Sequence, residues 1–194
     1  MEESLKKYIK DYALLLIIAG IIIGFDQWTK ALVRNLIPFG PSGESWSPFS
    51  WLAPYARIVH WNNTGAAFGL FQGYNIVFSV LAVGVSIAIL YYFPRIPSRD
   101  WVIRVALSMQ LGGAVGNLID RLVMGTVTDF ISIGNFAVFN VADSSISVGV
   151  AILLLAVLYK DWQEKKTAQK KTEEVTASGE KSQLSDGDSQ EIHQ

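Results

Sequence analysis

The chain has 194 residues, of which 51% are hydrophobic, and 16 basic residues nearly balance 17 acidic ones. Because the hydrophobic residues are concentrated in long blocks, the composition favours a membrane protein over a soluble domain with one large core. The chain contains no cysteine and only two histidines, His60 and His193, which excludes thiolate catalysis and argues against a multi-histidine metal site. We therefore predict that the protein uses no metal and no other cofactor.

Four apolar segments predict four transmembrane helices. They cover about residues 13–34, 74–93, 101–123 and 139–159. A helix needs roughly 20 residues to cross a bilayer, and the first segment reaches that length through its amphipathic extension. Three lysines precede this segment, as in a signal peptide, but no small-x-small cleavage site follows. We therefore predict that the first segment is an uncleaved span.

Two outer loops, residues 35–73 and 124–138, connect the spans on one side of the membrane. The longer loop is rich in aromatic residues, and residues 57–61 have strand character. His60 lies there and is better interpreted as an interfacial side chain than as a catalytic base, because no partner is apparent. The predicted fold is an all-α membrane protein with four transmembrane helices, a small extracytoplasmic β-sheet and an interfacial loop.

The basic residues predict the orientation of the spans. They precede the first span, surround the 94–100 loop and follow the fourth span, whereas the other side has few. The positive-inside rule places both termini in the cytoplasm. Residues 163–194 are polar and nearly free of large apolar side chains, so we expect a disordered cytoplasmic tail after a membrane domain of residues 1–162.

Polar residues recur three or four positions apart within three of the spans, so each set lies on one helix face. The sets are Asp26 and Lys30, Asn117 with Asp120 and Arg121, and Asn140 with Asp143. With the predicted topology, all three sets lie toward the outer ends of their helices and converge in one layer. For the oppositely charged residues, a salt-bridge network that only holds the helices together is the alternative.

Asp129 and Asp143 flank the shorter outer loop and lack an obvious local cation. Two carboxylates that share one proton can activate water and protonate a leaving group, as in aspartic proteases. Nearby serines are alternative nucleophiles, but no lysine or histidine is evident to activate them. We interpret the two aspartates as a catalytic pair.

The glycine-rich segments indicate function less specifically than the two aspartates do. The spacings Gly20-x-x-x-Gly24 and Gly112-x-x-x-Gly116 fit close helix contacts, which are common in membranes. The small-residue run at 63–69 precedes the second span. It is either bare backbone that binds an extended substrate or a flexible turn.

Five blocks of the sequence together resemble the lipoprotein signal peptidases, the type II signal peptidases of bacteria. The blocks are DQWTK at 26–30, NTGAAF at 63–68, GGAVGNLIDR at 112–121, VTDFI at 127–131 and FNVADS at 139–144. They occur in the family's order and extend from the first span to the start of the fourth. The loop between the aspartates is short for the family, and Thr128 stands where a second valine is frequent.

The resemblance implies an aspartyl endopeptidase of the bacterial cytoplasmic (inner) membrane, with its active site toward the outer leaflet. Such an enzyme removes signal peptides from prolipoproteins by cutting before the diacylglyceryl-modified cysteine. The catalytic pair corresponds to Asp129 and Asp143. The residues that bind substrate or support the pair correspond to Asp26, Lys30, Asn63, Gly65, Asn117, Asp120, Arg121, Asn140 and Ala142. We expect membrane lipid and modified prolipoproteins as partners, no nucleic acid, and a monomer.

From the residues alone, two other classes stay open. A proton-coupled transporter also uses intramembrane Asp and Lys, but it predicts polar residues along the full membrane depth and often an internal repeat. The inner halves of the first, second and fourth spans are almost entirely apolar. An assembly factor whose polar residues are only structural would tolerate Asp143→Asn without losing a reaction.

Overall fold

The computed structural model of the chain describes residues 2–40, 45–65 and 70–188, with side chains described for residues 12–40, 45–65 and 70–169. Four helices and two strands occur in these ranges. In chain order they are α1 (Glu2–Leu36), β1 (Ala56–Asn63), α2 (Asn75–Tyr92), α3 (Trp101–Met124), β2 (Val127–Ile133) and α4 (Val141–Asp188). A short 3₁₀ turn, Phe93–Arg95, follows α2.

All four helices contain segments long and apolar enough to cross a membrane. These segments are Tyr12–Leu36, Asn75–Arg95, Trp101–Met124 and Val141–Gln169. Every boundary except the last lies within about two residues of the predicted one. The predicted class, four spans with a small sheet, is therefore confirmed.

Two compact units divide the chain, Met1–Leu153 and Leu154–Gln194. Within the second unit α4 continues as helix to Asp188, so residues 163–188 are helical where we predicted disorder. The composition explains this difference, because Lys, Glu, Gln and Ala are good helix formers even where they cannot build a core. An ion pair between residues one helical turn apart, Lys165 Nζ and Asp161 Oδ2 at 2.7 Å, also stabilises this part of the helix.

Helix α3 is the most enclosed of the spans. Half of its apolar segment is buried, against 17% for each of the other three. Close backbone approach makes this possible: a Cβ atom at Gly113 would lie 2.4 Å from the carbonyl oxygen of Ala142, and one at Gly116 would lie 2.8 Å from Asp26 Oδ2. By contrast, a Cβ atom at Gly20 or Gly24 would meet no described atom within 4 Å, so that motif makes no close contact there.

The remaining apolar surface of the spans is largely exposed. A core cluster forms where α1, the end of α2 and α3 meet, and it contains Leu15, Ala19, Ile89, Phe93 and Leu111. Elsewhere large side chains point outward, as Ile76 (79% exposed) and Val80 (65%) do on α2. An apolar outer surface is expected when the surrounding medium is lipid.

Strands β1 and β2 form an antiparallel sheet in which Trp61 lies opposite Asp129 and Asn63 opposite Val127. The predicted strand at 57–61 is therefore part of β1. Strand β2 was not predicted, since the whole segment 124–138 was taken as a loop. Four consecutive residues, 127–130, are buried in β2, so the usual alternation of polar and apolar positions is missing.

Candidate active site

Asp129 lies on β2 with only 2% of its surface exposed. Its two carboxylate oxygens accept hydrogen bonds from two asparagine side chains. Asn140 Nδ2 donates to Oδ1 at 2.7 Å, and Asn63 Nδ2 donates to Oδ2 at 2.9 Å. Because β1 and β2 are paired, the sheet itself carries Asn63 to this carboxylate.

Asp143 lies in the first turn of α4, where a negative charge interacts favourably with the helix dipole. Asn117 Nδ2 donates to its Oδ1 at 2.7 Å, and the backbone N–H of Asn140 donates to its Oδ2 at 3.1 Å. In return, the backbone N–H of Asp143 donates to Asn140 Oδ1 at 2.9 Å. This reciprocal pair is a capping box, and it fixes the carboxylate at the start of the helix.

Asn140 therefore bridges the two aspartates. It is fully buried, caps α4 beside Asp143 and donates its side-chain amide to Asp129. Both carboxylates line one cavity of about 520 Å³. A pair of carboxyl groups held this way can share a proton and bind a water molecule between them.

The cavity has polar groups at one side and an apolar wall. Its other polar lining residues are Asn63, Asn117, Arg121, Ser144 and Ser147. The apolar wall includes Phe78, Val127, Phe139, Ile146 and Val148. A site of this kind suits an apolar ligand with a polar group at one position.

Burial raises the pKa of Asp129 from 3.8 to about 7, and the negative charge of Asp143 acts in the same direction. The hydrogen bonds from Asn63 and Asn140 and the charge of Lys30 oppose this effect. A carboxyl group of this pKa is partly protonated near neutral pH. It can therefore donate a hydrogen bond while its partner carries the charge.

This pKa predicts how thermal stability depends on pH. The folded protein binds the Asp129 proton more tightly than the unfolded chain does, so the stability gained from it is complete below about pH 4 and is lost as pH rises through about 7. We expect the melting temperature of the wild type in detergent to fall over this range relative to that of Asp129→Asn, which cannot titrate. Parallel melting curves for the two proteins across the range would contradict the assignment.

The predicted charged residues converge beneath the aspartates. Asp26, Lys30 and Asp120 are at most 1% exposed. Lys30 Nζ lies 2.8 Å from Asp26 Oδ2 and 3.2 Å from Asp120 Oδ2, and Arg34 lies 3.7 Å from Asp120 Oδ1. These contacts join α1 to α3, and the hydrogen bond from Asn117 to Asp143 joins α3 to α4, as expected for three helices that bring their polar faces together.

The other predicted residues have defined positions. Arg121 lines the cavity, with its guanidinium 5.5 Å from the centre of the Phe78 ring. The backbone N–H of Gly65 donates to Asn63 Oδ1 at 2.9 Å, and a Cβ atom at Gly65 would lie 2.3 Å from the carbonyl oxygen of Leu70. Only glycine fits such a close approach. Residues 66–69 of the small-residue run lie outside the described residues.

His60 and the nearby serines were the alternatives to the aspartates. His60 does not line the cavity, and its Nδ1 lies 3.0 Å from the carbonyl oxygen of Ile37. Ser144 and Ser147 do line it, and the Ser144 hydroxyl donates to a backbone carbonyl one turn earlier in the chain, as is common for serine in helices. The described lining residues include no lysine or histidine that could activate either hydroxyl.

Gln27 and Thr128 contact the predicted site residues, although the sequence analysis assigned neither of them a role. Gln27 Nε2 donates to the Asp120 carboxylate at 3.1 Å and to the carbonyl oxygen of Gly116 at 3.0 Å. Thr128 donates its backbone N–H to Asp120 Oδ2 at 3.0 Å. Their positions beside Asp26 and Asp129, within two of the five sequence blocks, are the signal that could have identified them.

Comparisons with known proteins agree with this geometry. The family model described as Signal peptidase (SPase) II matches residues 17–159. A protein named Lipoprotein signal peptidase from Halalkalibacterium halodurans is 39% identical over 77% of this chain and 95% of its own. Another of that name, from Staphylococcus aureus strain JH9, is 33% identical over 88% of this chain and 98% of its own.

Two solved structures also match the chain. One bacterial membrane enzyme matches with a TM-score of 0.69 and 31% identity over 76% of this chain and 88% of its own. A second matches with a TM-score of 0.65 and 32% identity over 74% and 92%. The resemblance inferred from the five sequence blocks is confirmed, and the chain belongs to the signal peptidase II family.

Proposed function

We propose that this protein is an intramembrane aspartyl endopeptidase that removes signal peptides from bacterial prolipoproteins. Asp129 and Asp143 are its catalytic pair. The observation that carries the proposal is the bridge through Asn140, which joins two carboxylates from separate elements at one cavity. Membership of a peptidase family agrees with this reading and disfavours the transporter and assembly-factor alternatives.

The chemistry needs one proton on the pair and one water molecule. The ionised carboxylate removes a proton from water as the oxygen attacks the scissile carbonyl carbon, and the protonated carboxyl donates a hydrogen bond to the carbonyl oxygen. The tetrahedral intermediate then collapses, the C–N bond breaks, and the proton passes to the departing amine. The raised pKa of Asp129 supports a shared proton near neutral pH. Because the two carboxyl groups titrate together, we assign the roles of base and acid to the pair and not to either residue alone.

The position of the cavity supports a substrate that arrives from the membrane. Its apolar wall includes Phe78 of α2 and Ile146 and Val148 of α4, all within membrane-spanning segments. The signal helix lies against this wall, and the diacylglyceryl chains stay in lipid. The scissile bond, just before the modified cysteine, then reaches Asp129 and Asp143.

The proposal extends to the membrane topology and the oligomeric state. Both termini lie in the cytoplasm because basic residues cluster at the ends and in the 94–100 loop. The sheet and the catalytic pair lie toward the outer leaflet of the cytoplasmic membrane. We propose that the enzyme acts as a monomer, and size-exclusion chromatography with light scattering in detergent measures this directly. A cysteine introduced at Ser47 should be labelled from outside intact spheroplasts, and one introduced at Ser98, in the 94–100 loop, should be protected. The opposite labelling pattern would contradict this orientation.

Cleavage of a defined substrate tests the function. We expect the purified protein in detergent to cut a diacylglyceryl-modified prolipoprotein, and mass spectrometry to locate the cut directly before the modified cysteine. The matched control is the same prolipoprotein without the lipid, which we expect to be cut at least about tenfold more slowly because the acyl chains no longer position the bond. A folded protein that leaves the lipidated substrate intact would refute the proposed function.

A further inference from the structure

The buried lysine of α1 is connected to both aspartates by short chains of hydrogen bonds. Lys30 Nζ donates to Asn117 Oδ1 at 2.9 Å, and Asn117 Nδ2 donates to Asp143 Oδ1 at 2.7 Å, so two hydrogen bonds join Lys30 to Asp143. Asn140 Nδ2 also donates to Asn117 Oδ1, at 3.1 Å, and to Asp129 Oδ1, at 2.7 Å, so three join Lys30 to Asp129. Among the described residues, the intermediates in both chains are asparagine side chains.

Lys30 and Asn140 together set which way the Asn117 amide faces. An ammonium group only donates hydrogen bonds, so the Asn117 oxygen must face Lys30. The NH₂ group then faces Asp143 and donates to its carboxylate. Without the ammonium group, the hydrogen bond from Asn140 Nδ2, at 3.1 Å, is the remaining described contact that holds the Asn117 oxygen in this direction. The amide is then held less firmly against Asp143.

The ion pairs of Lys30 also anchor the backbone just ahead of each aspartate. Asp26 Oδ1 accepts the backbone N–H of Ala142 at 2.9 Å, and Ala142 precedes Asp143. Asp120 Oδ2 accepts the backbone N–H of Thr128 at 3.0 Å, and Thr128 precedes Asp129. Lys30 lies between the two carboxylates, at 2.8 Å from Asp26 and 3.2 Å from Asp120. The ammonium group of Lys30 therefore links Asp26 and Asp120, the two carboxylates that anchor the backbone ahead of the catalytic pair.

We propose that Lys30 is a positioning residue for the catalytic pair, which orients the Asn117 amide toward Asp143 and joins the carboxylates that anchor the residues before Asp129 and Asp143. Its side chain is fully buried and does not line the cavity. The inference rests on the proposed function, because its test follows peptide cleavage. A lysine that only stabilises the helix bundle would affect folding but leave the chemistry of folded molecules unchanged.

The central comparison uses Asp26→Asn with and without Lys30→Met. In the double variant the amide at position 26 still offers an oxygen to the Ala142 N–H, and Asp120 keeps Arg34 at 3.7 Å. Removal of Lys30 therefore leaves no carboxylate of this network without a partner. Lys165→Met is the matched control, since Lys165 also pairs with an aspartate four residues earlier but is 72% exposed.

The readouts are the melting temperature in detergent, kcat and KM for the lipidated prolipoprotein, and the pH profile. Relative to Asp26→Asn, we expect the double variant to show kcat lower by about tenfold to a hundredfold, with KM changed by less than about threefold.

The charged groups that face Asp129 are Asp143 on α4, Lys30 on α1 and Arg121 on α3. Loss of the Lys30 charge raises the pKa of Asp129, so the alkaline limb of kcat/KM should move to higher pH. Lys165→Met should match the wild type in all readouts.

The other possible results would overturn either the positioning role of Lys30 or the proposed function. Equal kcat and equal pH profiles for Asp26→Asn and the double variant would overturn the positioning role. Failure of the double variant to fold, where Asp26→Asn folds, would assign Lys30 to the fold alone and would also overturn it. Absence of cleavage by folded wild type would reject the proposed function, and that result is visible before any variant is compared.

Discussion

Asp129→Asn and Asp143→Asn are each expected to lower kcat/KM for the lipidated prolipoprotein by about 10³-fold or more, because neither variant retains a carboxyl pair that shares a proton. Asparagine has the same shape as aspartate and still accepts hydrogen bonds through its oxygen. In each variant this oxygen keeps one of the two hydrogen bonds that the carboxylate accepts, such as that from Asn63 or that from Asn117. Both variants should fold, and the measurement is cleavage rate beside a melting curve.

The control for this experiment is Asp161→Asn, which removes an exposed carboxylate of α4 that pairs with Lys165. It should cleave at the wild-type rate. Cleavage that survives in either folded catalytic-pair variant would move the chemistry to another group, with Asp120 next to be tested. The double variant Asp129→Asn/Asp143→Asn should be no slower than the single ones, because residues that act as a unit are not additive.

Asn140 is expected to show the second-largest effect, since it serves both aspartates and the helix start. Asn140→Ala removes the cap of α4 and the hydrogen bond to Asp129, and we expect a loss of about 1–2 kcal/mol in stability from the cap. Activity should fall by about 10²-fold, because the carboxylates are no longer held at a fixed separation. Thermal melting and kcat measure the two losses separately.

Asn140→Ser separates the two roles of this side chain. Serine is a good N-cap residue, so its hydroxyl can accept the backbone N–H of Asp143. It is too short to replace the side-chain amide that reaches Asp129. We expect stability close to that of the wild type together with the reduced kcat of Asn140→Ala. A serine variant as active as the wild type would show that Asn140 only caps the helix.

Local sequence patterns were sufficient for the spans. A run of about 20 apolar residues needs a membrane or a large core whatever surrounds it, so α2 is evident from its composition alone. The same holds for the spacing of Asp26 and Lys30, which places both on one face of α1. Asp129 and Asp143 were picked out because carboxylates near a membrane boundary are rare.

Local sequence patterns did not predict strand β2 or the helical continuation of α4. Strand β2 was missed because its partner β1 lies more than 60 residues earlier, as the Asn63–Asp129 hydrogen bond shows with a separation of 66. The helical continuation of α4 was also missed. Its residues are polar enough to predict disorder and also have high helix propensity, so composition alone supported both states.

By itself, then, the sequence determined the four spans, the polar face of each contributing helix and the identity of the two candidate carboxylates. Only the tertiary structure decided that Asn140 bridges these carboxylates and that Lys30 donates a hydrogen bond to Asn117. The bonds concerned join residues 87 positions apart for Lys30 and Asn117, and 116 apart for Asp26 and Ala142. Such contacts depend on how closely α1, α3 and α4 approach one another. That distance is set by side chains as small as Gly113 and Gly116, whose effect no periodicity along a single helix reveals.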